Sequence, residues 1–215
     1  MEDKRKQEII AAAIEVFAEK GFEQAKVHDI AEKAGVGTGV LYSRNLFINK
    51  LDMLLSIVLS FWQSLNERVI EIKNQEGDPK QKLFEILNVL DELLLKDTPA
   101  IYRFKVVNES LPYMYFIKEK ELAGKRKEIT VANRQLLDNL DSIIREGQEK
   151  GQFDKTLKPS VCRQVLYGSF QLLMYGLFLK ISQPETDIDY AESDIQSAMH
   201  LLLEKFLTVH EKVPT

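Results

Sequence analysis

The sequence predicts an all-α chain of about nine helices, with a compact three-helix unit at the N-terminus and a larger helical part after it. Two observations point there. The 10 glycines and 6 prolines among 215 residues are few, and they fall between stretches whose apolar residues recur at helical spacing. No alternating run of useful length marks a strand, and no repeat or low-complexity stretch breaks the pattern.

Each element has its own signal. A first helix is expected over Asp3 to Lys20, where Ile9, Ile10, Ala13, Ile14, Val16 and Phe17 recur near helical spacing and Gly21 is a stop. A short helix follows from Val27 to Ala34, with Val27, Ile30, Ala31 and Ala34 on one face. Gly35-Val36-Gly37 reads as a tight turn, and Thr38 as the N-cap of a third short helix. A long helix is expected from Asn49 to Lys73, carrying Leu54, Ile57, Val58, Phe61, Trp62, Leu65 and Val69. The polar break Asn74 to Pro79 ends it, and Pro79 suits the first turn of the next helix. Further helices are expected near 80–96, 99–109, 112–122, 126–150, 159–181 and 188–210, with Gly151 and Pro184 as punctuation. The division of labour is expected at residues 1–48 and 49–215, with the long fourth helix shared. So small an N-terminal unit has little core of its own and must lean on the rest.

Composition sets bounds. Hydrophobic residues are 45% and charged residues 29%, an ordinary balance for a packed core. A net charge of -4 argues against a broadly basic coat but leaves room for a local basic patch. Cys162 is the sole cysteine, so no intrachain disulfide forms, and its apolar helical setting reads as a buried thiol rather than a redox sensor. The start MEDKRKQEII is not a signal peptide, and apolar runs stop well short of the ~18 residues of a membrane span. A cytoplasmic location away from membranes is therefore expected. The 3 histidines show no HExxH or paired metal-ligand spacing, and no nucleophile–base set stands out. Neither an enzyme nor a bound metal or cofactor is expected.

The informative stretch is VHDIAEKAGVGTGVLY, Val27 to Tyr42. It places two short helices about a glycine turn, with Ile30, Ala31 and Val36 inward and small Ala31 where two backbones cross. That is the layout of a helix-turn-helix, whose second helix enters the major groove. A glycine-loop nucleotide site would need a preceding strand and GxGxxG or P-loop spacing, and neither is present. The segment resembles the TetR family of transcriptional regulators in Ile30-Ala31, Ala34-Gly35-Val36, Gly37-Thr38-Gly39, Leu41-Tyr42, Phe47, Asn49-Lys50 and Asp52, over about the first 55 residues. The resemblance implies a three-helix DNA-binding unit. Gly37, Thr38 and Gly39 would approach the groove, and Val40 would touch a thymine methyl. Tyr42 and Lys50 would bond phosphates. Lys26 and His28 would open the second helix near the backbone, and Arg44 would read a base or a phosphate. Two departures stand out. The family's threonines ahead of the second helix are here Ala25 and Lys26, and Tyr42 and Phe47 are two residues further apart than usual.

The C-terminal part is similar, through IIREGQEKGQFD (Ile143 to Asp154) and the apolar helix containing Gly168, to regulators of fatty-acid metabolism in that family. This resemblance implies a small apolar effector of the fatty acyl-CoA kind. Trp62, Tyr102, Phe104, Phe116, Phe170 and Met174 are candidate pocket residues, and Arg103 and Arg134 candidates for an anionic head group. Such aromatic and methionine stripes are more often core than pocket. The last two helices are apolar on more than one face, which suggests a homodimeric four-helix bundle, as in the family. The expected function is a repressor released from double-stranded operator DNA by this effector. The rival expectation, a helical carrier or sensor of hydrophobic molecules that has lost DNA binding, draws on the longer Tyr42–Phe47 segment and the acidic charge.

Overall fold

The computed structural model describes residues 2–42, 46–94, 98–110, 120–183 and 185–207. Among these it contains nine α-helices. They are α1 (Glu2–Gln24), α2 (Val27–Lys33), α3 (Thr38–Tyr42), α4 (Lys50–Asn74), α5 (Pro79–Leu94), α6 (Thr98–Glu109), α7 (Ala123–Glu149), α8 (Pro159–Ser182) and α9 (Glu192–Phe206). A 3-10 turn, Lys120–Leu122, precedes α7, and no strand element occurs among the described residues. The fold is all-α. Arg44, Phe116 and Pro184 lie outside the described residues, as does most of the helix expected over 112–122.

Several boundaries follow the sequence signals. α5 begins at Pro79, where the missing N–H is harmless. α1 runs past its expected end, but Gly21 is non-helical within it and kinks the chain there. Thr38 is the first residue of α3 rather than its cap, a one-residue difference of the size helix ends commonly show. The last helix is shorter than expected at its start, because 187–190 is not helical and α9 begins at Glu192.

The chain sorts into two compact units. The first joins residues 1–64 with 94–132. Its core is Ile9, Ala13 and Phe17 of α1, Ile30 and Ala31 of α2, Leu41 of α3, Phe47, and Met53, Leu54, Ile57 and Val58 of α4. α6 packs on α1, with Lys105 Nζ donating to the Ala18 carbonyl. This grouping differs from a cut at residue 48. α1, α2 and α3 share this unit with α6 and with the N-terminal parts of α4 and α7.

The second unit joins residues 65–93 with 133–215. It holds the later turns of α4 and α7 together with α5, α8 and α9. Asn66, 6% exposed, donates to Gln135 at 3.2 Å and accepts from Asn139 at 3.1 Å, and Lys73 donates to Asn139 at 2.9 Å. Arg163 Nε donates to Asp141 Oδ1 at 2.8 Å, a nearly buried pair tying α8 to α7. The GQEKGQF motif has a packing basis. The Phe153 ring, 1% exposed, lies on the bare backbone of Gly147, where an added Cβ would collide with the ring. Cys162 is buried.

Candidate functional site

The helix-turn-helix is built from the inside out. Ile30, Ala31 and Leu41 are at most 1% exposed and fix how α2 and α3 cross. The turn is closed by Ala34 N→Ile30 O (2.9 Å), Gly35 N→Glu32 O (3.0 Å) and Val36 N→Ala31 O (2.9 Å). Gly35 has φ 65°, a left-handed conformation that costs a residue with Cβ roughly 1–2 kcal/mol. Lys33 anchors α2 to α1 through Glu15 (2.7 Å) and Glu19 (3.1 Å).

With the inner face fixed, the outer face is set. Lys26, His28, Gly37, Thr38, Gly39 and Tyr42 are exposed and Val40 is half-buried. Partial burial pushes the Tyr42 phenol above its ordinary pKa, so it stays protonated and able to donate. Lys26 has no side-chain oxygen for capping α2. Asp29 compensates, accepting from Lys26 N at 3.2 Å, with its carboxyl held below the usual range chiefly by the Lys20 ammonium 2.8 Å away. The threonine-to-lysine departure therefore leaves half of a capping arrangement in place.

Lys50 is placed differently from expectation. Its Nζ donates to the carbonyls of Phe22 (2.7 Å), Glu23 (3.2 Å) and Ala25 (3.0 Å) and lies 4.5 Å from the Phe22 ring centroid. Three carbonyl acceptors at the end of α1 saturate an ammonium with three donors. In this arrangement it seals the exit of α1 rather than presenting a free charge to phosphate.

The second unit contains a cavity of about 50 Å³. Leu83, Ile86, Leu87 and Leu90 of α5, Leu140 and Ile144 of α7, and Phe170 of α8 contribute to its wall. Arg163 and Tyr167 also line it, yet the surface facing the space is hydrocarbon: the arginine is turned to Asp141, and burial pushes the Tyr167 phenol up to about 12. Of the expected pocket residues, Phe170 lines this cavity. Met174 is buried in the same unit, whereas Trp62, Tyr102, Arg103 and Phe104 belong to the first unit. Trp62 stacks edge-on against Phe61 at 5.2 Å. Arg134 is exposed on α7. Aromatic bulk was the signal read from sequence, whereas the wall is chiefly leucine and isoleucine, whose spacing is indistinguishable from ordinary core.

Residues 9–57 match the model for bacterial regulatory proteins of the tetR family, and residues 118–176 that for the YsiA-like protein C-terminal region. The fatty acid metabolism regulator protein of Bacillus subtilis (strain 168) is 30% identical over 162 residues, covering 75% of this chain and 77% of that one. The chain belongs to the TetR family. The structure of the fatty acid degradation regulator FadR from Bacillus halodurans matches this TetR-family regulator with TM-score 0.72 and 26% identity, covering 94% of this chain and 95% of that one. FadR from Bacillus subtilis, solved with stearoyl-CoA, matches with TM-score 0.65 and 24% identity over 93% and 97% of the two chains, a likeness of fold. Among the described residues, no helix is long and apolar enough to cross a membrane.

Proposed function

We propose that this regulator is a cytoplasmic homodimeric repressor that binds operator DNA through α2 and α3 and is released by a long-chain acyl-CoA. The observation that carries the effector class is the hydrocarbon wall of the cavity, in a chain 30% identical to a fatty acid metabolism regulator. An all-hydrocarbon wall selects an alkyl chain and offers no partner to a polar head, which must stay outside. Residues 1–48 supply the reading head and residues 49–215 the effector and dimer functions. Gly37, Thr38, Gly39 and Val40 face the groove, while Lys26, His28 and Tyr42 lie toward phosphates.

A cavity of about 50 Å³ has room for only a few water-sized groups, so a long chain enters by parting the walls. That displacement is the work through which effector and operator affinities are coupled, reciprocally and typically by ~1–3 kcal/mol. The test is an anisotropy titration, at fixed salt, against DNA flanking the protein's own gene, with and without stearoyl-CoA. Binding in preference to random DNA, weakened by stearoyl-CoA and by Tyr42→Ala, is expected. Specific binding that no acyl-CoA weakens would sink the effector class. Equal affinity for random DNA, with stearoyl-CoA still bound, would favour the carrier.

A further inference from the structure

α4 is the next helix in the chain after the helix-turn-helix, and its first turn is held by a closed set of bonds. Asn49 Oδ1 accepts from Asp52 N at 2.8 Å, and Asp52 Oδ2 accepts from Ile48 N at 2.9 Å. The first bond is an N-cap, and the second reaches one residue further back than a capping box does, so Asp52 ties α4 to its entry turn. The remaining Asp52 oxygen takes a further bond, from Lys125 Nζ in the first turn of α7. Lys125 also donates to Ser56 Oγ at 2.8 Å, and that hydroxyl donates to the Asp52 carbonyl at 2.7 Å. Asp52 is 4% exposed.

The cap is already satisfied within α4 and its entry turn, so the lysine is not needed to start the helix. What Lys125 adds is a connection. It belongs to the same helix that later supplies Leu140 and Ile144 to the cavity wall, and Gln135 and Asn139 to the hydrogen bonds with Asn66 and Lys73 of α4. These bonds between α4 and α7 are polar. Hydrogen bonds exchange partners when helices slide by an ångström or two, the scale of helix shifts in switching proteins. At the Lys125 end the bond is charge-assisted and part-buried, with the carboxylate the more enclosed partner, and an Asp52 carboxylate left there without its cation is disfavoured. Movement of Lys125 therefore obliges Asp52, and with it the Ile48 amide, to follow.

We infer that Lys125 is the positioning residue through which displacement of α7 at the cavity reaches the start of α4 and the recognition helix before it. This rests on the effector reading above. It assigns the transmitting role to α7 and a named contact.

The experiment measures three quantities for wild type, Lys125→Met and Lys125→Arg. They are the affinity for stearoyl-CoA, the operator affinity without and with saturating stearoyl-CoA, and the melting temperature. Wild type sets the ratio of the two operator affinities. Lys125→Met binds stearoyl-CoA within about twofold of wild type, yet its operator ratio falls to near unity, whereas coupled sites typically show ~5–150-fold. Lys125→Arg restores the ratio. A merely structural lysine would lower the melting temperature and leave the ratio alone. An unchanged ratio in Lys125→Met, with wild type responsive, overturns this inference and leaves the effector reading standing. A wild type that binds its operator but ignores stearoyl-CoA overturns the effector reading and this inference with it. If Lys125→Met does not fold, Ser56→Ala takes its place. A ratio below wild type supports the relay, and a wild-type ratio overturns it.

Discussion

Among the described residues, a methyl group added at Gly37 or Gly39 meets nothing within 4 Å beyond its own chain neighbours and helix backbone, and neither residue has a left-handed φ. Nothing inside the protein asks for glycine there. Alanine within a helix is favoured over glycine by up to ~1 kcal/mol, so the chain alone would prefer it at Gly39. On the proposed operator-binding reading the demand comes from outside, where the backbone of α3 approaches the groove closely. Gly39→Ala is accordingly expected to keep or raise the melting temperature while weakening operator binding about tenfold, a loss of roughly 1.4 kcal/mol. Calorimetry beside anisotropy separates the two effects. An operator affinity equal to wild type would remove α3 from the groove. Lys50 shows the opposite lesson. Its place in the Asn49-Lys50 motif was legible, but its carbonyl partners at the end of α1 lie far back in sequence and were not.

Helix existence was readable because it rests on local spacing, and Pro79 and Gly151 did mark boundaries near where they stand. Which helices share a core was not readable, because α6 joins α1 through contacts distant in sequence. The cavity was missed for a related reason: Leu83, Leu87 and Leu90 look the same in sequence whether they face a neighbour or a space. Asp91 on α5 is another property of element pairing. Burial among α5 and α9 raises its pKa to about 6, and Glu192 adds to the rise. A hydrogen bond from Gln196 and the charge of His200 oppose it. A raised folded pKa means the native state holds the proton more tightly than the unfolded chain. Stability from this group is thus full below the unfolded value of 3.8 and is lost as pH rises through about 6. Asp91→Asn should therefore stabilise the protein at pH 7.5, by about 1 kcal/mol once solvent screening of the half-buried carboxyl is allowed for. The gain should shrink as pH falls through about 6 and be gone below 3.8. Thermal melts of both proteins across that range check it, and a gain independent of pH would show that charge burial is not the cause.

At the scale of the whole molecule, α8 carries a second pattern on its outer side. Val161, Val165, Gly168, Leu172, Tyr175 and Leu179 alternate at spacings of three and four, the seam spacing of paired helices. Leu172 is 72% exposed, and Val161, Tyr175 and, on α9, Leu201 are exposed as well. Isolated exposed leucines need no explanation, but a periodic apolar seam on the pair α8–α9 does. A second copy supplies the same seam, and a two-fold axis lets each cover the other. Two recognition helices then meet half-sites one helical turn or a multiple apart, about 34 Å, which a single copy cannot do. Leu172→Glu puts a carboxylate from each copy into that seam and desolvates both. The expected outcome is a shift from dimer to monomer by sedimentation velocity, with helix content unchanged by circular dichroism because Leu172 contributes little to its own unit's core. Operator affinity should fall with the dimer and recover in part at high protein concentration, as mass action requires. A Leu172→Glu protein that remains dimeric and binds operator normally would place the interface on another face of the chain.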